Sequence, residues 1–132
     1  MYLNEVKVKN YRSLKDVKLV LDKEKGTPNL SLIIGKNNSG KTSFLKIMKK
    51  MIAEDRKLSW DDFNIQYRRE IHNILVSKEE GNEEDIEGII LDLYMEYDDN
   101  DDLNNILPLM LDLNMENNIV VLEFKCQPII HK

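Results

Sequence analysis

Apolar and polar residues alternate along four segments of the chain. The segments centre on Val6 and Val8, on 17–21, on 89–97 and on 120–126. Because successive side chains of a β-strand point to opposite faces, this period of two predicts four strands that each bury one face. Strands with one wet face are typical of antiparallel sheets, so we expect one antiparallel sheet to contain all four segments.

A helical pattern occupies residues 42–53, where apolar residues recur three or four positions apart. Phe44, Met48 and Met51 form one stripe, which predicts the buried face of an amphipathic helix. The opposite side carries three lysines, Lys46, Lys49 and Lys50. That side is predicted to be a solvated face, or otherwise to face DNA or a second subunit.

A new element is predicted to begin at Trp60. Ser59 is its expected N-cap, and Asp61 and Asp62 are favourable in a first helical turn because their charge complements the helix dipole. The following residues, 65–76, fit a strand and a helix equally well, so the pattern leaves both open.

A glycine-containing loop at 35–42 lies between an apolar run at 30–34 and the predicted helix. The loop reads Gly35-Lys36-Asn37-Asn38-Ser39-Gly40-Lys41-Thr42. This fits the phosphate-binding pattern G-x-x-x-x-G-K followed by Ser or Thr. A strand at 30–34 and a helix at 42–53 are the flanking elements that this motif requires.

Each residue type in the loop has a physical reason. Gly35 and Gly40 allow backbone angles and close approaches that a Cβ would forbid, so successive N–H groups point inward and form an anion site. The positive end of the helix dipole points at the same place. Lys41 is predicted to reach the β- and γ-phosphates of a nucleotide, and Thr42 to offer its hydroxyl to Mg2+. The predicted nucleotide site therefore extends from Gly35 to Ser43.

Composition and charge exclude several classes of protein. The 132 residues suffice for one domain or part of one, and 42% hydrophobic with 33% charged residues is typical of a globular protein. A net charge of −5 argues against a stand-alone nucleic-acid binder. Cys126 is the only cysteine, which excludes an internal disulfide and suits a reducing cytosol. No apolar run has the length of a membrane span, and the first residues do not form a signal peptide.

Metal-binding patterns are weak. The acidic loop predicted at 98–105 lacks the Gly and Glu of an EF-hand, because Leu103 and Leu109 stand at those positions. His72 and His131 are isolated, which argues against a zinc site.

A P-loop enzyme normally has a buried strand that ends in an Asp near the metal. Asp92 is the nearest candidate, but the alternation around it continues to Tyr97 and predicts a one-sided strand instead. Leu93 occupies the place of a following catalytic Glu. The sequence therefore predicts that the hydrolytic half of such a site is absent.

The order of these features resembles the start of the ABC-type ATPases of the RecF/SMC class, and most closely the OLD-type ATPases. A strand, Asn10-Tyr11-Arg12-Ser13, a second strand and then GKNNSGKT follow the order of that family. The stretch at 58–63, which ends in Asp-Phe, resembles the element after the family's loop helix. The resemblance implies an α/β fold: the N-terminal lobe of a P-loop NTPase, a mixed sheet with an antiparallel β-subdomain around the Walker A strand, loop and helix.

The resemblance also implies what surrounds the site. The family's signature motif, Walker B strand and switch His are not seen, so residues 1–132 are expected to be an N-terminal lobe that needs a second lobe. ATP would lie between two subunits, as a homodimer or with a complementary lobe. Arg12 would lie close to the phosphates and Gln127 would approach the Mg2+. Alternatively, Arg12 is a surface arginine at a strand end, and Gln127 is an outward-facing strand residue.

Two functions of different classes follow from this resemblance. The first is ATP binding, with hydrolysis by the completed protein, in DNA repair or anti-phage defence in the cytoplasm. The second is a nucleotide-gated module that licenses a partner nuclease or effector without turnover. A P-loop kinase or small GTPase is disfavoured, because its parallel βαβ units would follow the loop directly.

Overall fold

The computed structural model describes residues 1–21, 31–52, 57–77, 86–104, 107 and 118–129. In chain order the elements are β1 (Tyr2–Tyr11), β2 (Leu14–Val20), α1 (Lys41–Ile52), a short 3₁₀ helix (Trp60–Asp62), α2 (Ile65–Ser77), β3 (Ile89–Glu96) and β4 (Ile119–Cys126). The four strands coincide with the four alternating segments, which confirms that prediction. Residues 65–76, which fitted a strand and a helix equally well, lie in α2.

The strands form one antiparallel sheet in the order β2-β1-β3-β4. β1 is central among them, and its Val8 lies opposite Val17 of β2 and Leu91 of β3. Two helices accompany this sheet in the described residues. The architecture is the α/β class with an antiparallel sheet that the sequence predicted.

One face of the sheet forms the core together with both helices. Alternate residues of β1 and β3 are buried there, namely Val6, Val8, Leu91 and Leu93. The helices contribute Phe44, Ile47, Met51, Tyr67 and Ile71 to the same cluster of buried side chains. Lys7 and Asp92 are paired in register on the other face of the sheet.

The buried stripe of α1 differs from the prediction at one position. Phe44 and Met51 are buried as expected, but the third buried residue is Ile47, and Met48 is only partly buried. Residues 44, 47 and 51 lie three and four positions apart and so share one face of the helix, whereas Met48 lies at the edge of that face.

The strand predicted at 30–34 is not formed over the described residues 31–34. Ile33 packs against the core, but Leu32 and Ile34 are 82% and 81% exposed. A strand needs a hydrogen-bonded neighbour, and among the described residues this segment pairs with none of the four strands. The three side chains alternate in burial as in a strand, but no ladder of hydrogen bonds joins the described part of this apolar run to the sheet.

Parts of several predictions lie outside the described residues. They are residue 30 of the predicted strand, residue 53 of the predicted helix, residue 105 of the predicted acidic loop, and His131. Within the described chain, neither helix is long and apolar enough to cross a membrane.

Candidate functional site

The loop ahead of α1 has glycine at two positions where a Cβ would make a close contact. Gly40 has φ +90°, and a Cβ there would approach Leu14 Cδ2 of the neighbouring strand at 2.8 Å. A Cβ on Gly35 would approach the Ser39 hydroxyl oxygen at 2.8 Å. Asn38 also has a positive φ, of 64°. The loop therefore has a tightly curved backbone that larger residues at 35 and 40 would disturb.

The side chain of Lys41 folds back into this curve. Its Nζ donates to the carbonyl oxygens of Gly35 and of Lys36, the latter at 2.6 Å, and to the hydroxyl of Ser39 at 3.3 Å. Lys41 is also the first residue of α1. The ammonium group and the N-terminal end of the helix, which carries the positive end of its dipole, thus lie together at the loop.

An open cleft of about 710 Å³ lies over the loop and the first turn of α1. Its lining is polar and consists of Ser13, Asn37, Asn38, Ser39, Gly40, Lys41, Thr42 and Ser43. Seven of the nine predicted loop residues from 35 to 43 therefore lie on one cleft. Hydroxyl oxygens are suitable Mg2+ ligands, so Thr42 fits the predicted metal role by its chemistry and its place on the cleft wall.

Ser13 lines the cleft although the sequence suggested no role for it. It belongs to the turn between β1 and β2, and its hydroxyl lies 3.4 Å from that of Ser43 in α1. Leu14, the next residue, packs against Gly40. The sequence offered one signal for Ser13, its place in the motif Asn10-Tyr11-Arg12-Ser13. Its position beside the loop at 35–42 became visible only in the fold.

Arg12 forms hydrogen bonds with Asp62 of the 3₁₀ helix. Its Nε and Nη2 donate to Asp62 Oδ1 at 2.8 and 2.7 Å, and its backbone N–H donates to the Asp62 carbonyl at 2.8 Å. Asn64 Nδ2 donates to the Arg12 carbonyl at 2.6 Å. Arg12 does not line the cleft itself, but it directly precedes Ser13, which does. Its predicted contact with nucleotide phosphates stays a prediction.

Asp62 is the buried centre of this arrangement, with a side chain 2% exposed. Its Oδ2 accepts from Lys50 Nζ at 2.8 Å and from the Ser59 N–H at 3.1 Å. Burial alone would raise the pKa of Asp62, but the hydrogen bonds from Lys50, Ser59 and Arg12 outweigh it and lower the pKa to about 2. Asp62 is therefore an ionised carboxylate between two cations.

Asp92 and Gln127 lie away from the cleft lining. Asp92 pairs in register with Lys7 and Glu123 on antiparallel strands, as its alternation predicted. Burial and the neighbouring Glu123 raise its pKa. Gln127 Nε2 donates to the Ile86 carbonyl at 3.1 Å, and its predicted approach to Mg2+ stays a prediction. Within the described ranges no three His, Cys, Asp or Glu side chains are grouped to hold a metal ion.

A glycine loop that leads straight into a helix N-terminus beside a β-sheet is typical of P-loop NTPases. The chain belongs to the family of AAA ATPase domains, whose family model matches residues 1–130. A comparison with curated proteins gave no match. Membership of this family indicates nucleotide binding, usually together with Mg2+, as the general activity of the domain.

Proposed function

We propose that this chain binds ATP and Mg2+ at the cleft over residues 35–43, as the N-terminal lobe of an OLD- or RecF-like ATPase. One observation carries the proposal: the ammonium group of Lys41, the N-terminal end of α1 and the hydroxyl of Thr42 belong to the same cleft. Together they supply a positive charge, oriented N–H groups and an oxygen ligand, which is what a Mg2+-bound polyphosphate requires.

In this proposal Lys41 exchanges partners when the nucleotide binds. Its Nζ now donates to the carbonyls of Gly35 and Lys36 and to Ser39, so a phosphate oxygen would replace neutral acceptors with a charged one. Hydrogen bonds to ionised acceptors are shorter and stronger, which favours the exchange. Thr42 would hold Mg2+, which would neutralise charge on the β- and γ-phosphates.

Arg12 is a second proposed phosphate contact. Its side chain is 36% exposed even though its Nε and Nη2 are held by Asp62. The exposed part of the guanidinium would approach a nucleotide from the Ser13 side of the cleft. Gln127 is proposed, by resemblance alone, to approach the metal in the completed protein.

Hydrolysis is proposed to need a second lobe and a second subunit, in DNA repair or anti-phage defence in the cytoplasm. The position of Asp92 favours the alternative of a nucleotide-gated module for this chain alone. The side chain lies on a strand whose two neighbours are antiparallel, and it does not line the cleft. Such a module would bind ATP without turnover and license a partner nuclease or effector, and DNA contact would belong to the completed protein.

Calorimetry with MgATP tests the proposed site. Lys41→Ala should weaken binding by about tenfold or more, since a charge-assisted phosphate contact is lost. Lys49→Ala is the matched control, because it removes the same charge from the last turn of the same helix. Equal affinity of wild type and Lys41→Ala would contradict the proposal, as would equal losses in the two variants.

A further inference from the structure

The helix α1 is joined to the β1–β2 turn near both of its ends. Ser43, in its first turn, lies 3.4 Å from Ser13 of that turn through their hydroxyls. Lys50, in its last turn, donates to Asp62, and Asp62 accepts from Arg12 of the same turn. Ser43 and Lys50 are seven positions apart, so they lie on one face of the helix.

The turn depends on these partners for its conformation. Arg12 has φ +46°, and Asn10, two residues earlier in β1, has φ +63°. Positive φ values are unfavourable for residues with a side chain, so neighbouring contacts must hold them. Asp62 supplies most of those contacts to Arg12, through its carbonyl and one carboxylate oxygen. Asn64 supplies another, from its side chain to the Arg12 carbonyl.

We infer that Asp62 is a positioning residue for the phosphate cleft, and that Lys50 acts on the cleft through it. Asp62 Oδ1 holds Arg12 and Oδ2 holds Lys50, so one carboxylate fixes the turn that carries Ser13 relative to the helix that carries Thr42 and Ser43. The effect on ATP rests on the proposed nucleotide site.

The cluster also carries an excess charge, whose effect on the cleft is separate from this positioning. Arg12 and Lys50 share a single buried carboxylate, which leaves one positive charge in excess. The excess stands one residue from the cleft lining, in a chain whose net charge is −5. A local positive potential of this kind attracts an anionic ligand even without direct contact.

Lys50 offers the sharpest test because it is remote from the loop. It lies seven positions beyond Ser43, which is about 10 Å along the helix axis. A change at Lys50 can therefore affect the cleft through Asp62 and the turn, or through the loss of one positive charge, but not through contact with ligand; Lys49 controls for the lost charge. Lys49 is its matched control: it is exposed and makes no ion pair within the described part of the chain.

The first measurement is MgATP affinity. Lys50→Met should weaken binding by roughly three- to tenfold, whereas Lys49→Met should stay within about twofold of wild type. Lys50→Arg should recover most of the loss, because it restores the donor to Asp62. In the Asp62→Asn background, Lys50→Met should cause little further loss of MgATP affinity, because Lys50 acts on the cleft through Asp62.

The second measurement needs no nucleotide. Amide NMR spectra of Lys50→Met should show shifts at Arg12, Ser13 and 39–43 that Lys49→Met does not produce. Unchanged signals there in folded Lys50→Met would overturn the inference whether or not ATP binds. Equal ATP affinities for Lys50→Met and Lys49→Met would overturn it while leaving the site proposal intact, provided that Lys41→Ala still loses binding. Failure of the wild type to bind ATP would instead contradict the proposed function.

Discussion

The guanidinium of Arg12 donates through Nε and Nη2 to a single oxygen of Asp62, at 2.8 and 2.7 Å. The other oxygen of Asp62 is thereby left for Lys50, which donates to it at 2.8 Å. This division lets one buried carboxylate connect the β1–β2 turn, the last turn of α1 and the 3₁₀ helix. The candidate phosphate cleft is bounded by the β1–β2 turn and by the first turn of α1.

Stability should depend on the ionisation of Asp62. Its pKa in the folded chain is lowered to about 2 from an ordinary 3.8, so its stabilising contribution is present above pH 3.8 and is lost as the pH falls toward 2. The shift corresponds to roughly 2 kcal/mol in the free energy of unfolding. Urea unfolding at pH 7 should therefore show Asp62→Asn to be less stable than wild type by about that amount.

The difference between wild type and Asp62→Asn should narrow as the pH is lowered through the range 3.8 to 2. Asp61→Asn provides the control, because its carboxylate is 91% exposed and should contribute little. A gap between wild type and Asp62→Asn that stays constant with pH would show that ionisation of Asp62 is not what stabilises the cluster.

The two loop glycines should differ in their sensitivity to alanine. Gly40→Ala places a Cβ at positive φ and against Leu14, so it should lower the free energy of unfolding by about 1 kcal/mol or more. Gly35→Ala meets only the hydroxyl of Ser39, which can rotate away, so its cost should be smaller. Thermal unfolding of both variants checks this order, and a larger loss for Gly35→Ala would contradict it.

Asp92 should be a destabilising residue and not a catalytic one. Its Oδ1 is buried without a hydrogen-bond partner within the described ranges, and burial raises its pKa. An acid whose pKa is raised by folding destabilises the fold above that pKa, where it is ionised. Asp92→Asn should therefore stabilise the chain at pH 7 by up to about 1 kcal/mol while leaving MgATP affinity unchanged.

Asp99→Asn is the control for Asp92, since it makes the same change in an exposed turn. Thermal unfolding of the two variants at pH 7 should show a gain for Asp92→Asn alone. If Asp92→Asn lost MgATP affinity while Asp99→Asn kept the affinity of wild type, Asp92 would belong to the nucleotide site after all.

ATP turnover by the 132-residue chain should be negligible. Among the residues that the structure describes, no carboxylate lines the cleft, and the charged lining residue is Lys41. We expect phosphate release far below the ordinary enzymatic range of about 1 per second or more. A steady release in that range that Lys41→Ala removes would mean that a carboxylate of this chain completes the site.

The strands could be predicted from the sequence because each buries one face. Burial of one face produces an alternation of apolar and polar residues that is visible within the strand itself. Residues 65–76 were ambiguous by periodicity, but a capping signal was present. Asn64 Oδ1 accepts from the N–H groups of Gln66 and Tyr67, which is the pattern of a helix N-cap. Reading Asn64 in this way would have favoured the helix.

The rest of the site depended on contacts distant in sequence. Asp62 meets Arg12 across 50 residues and Lys50 across 12, so its own neighbours in the chain suggested only a helix start. The strand expected at 30–34 failed for a related reason. Its apolar residues satisfy the local pattern, but a strand also needs a partner, which sequence pattern alone does not supply.

Binding of the phosphates of ATP by residues 35–43 can be measured by an amide NMR titration with MgATP and, in parallel, with adenosine. We expect MgATP to shift the signals of Ser13 and of 37–43 most strongly, adenosine to shift them weakly, and the signals of β4 to change little. Shifts concentrated elsewhere, for example around Trp60 and Arg69, or equal responses to MgATP and adenosine at the loop, would contradict it.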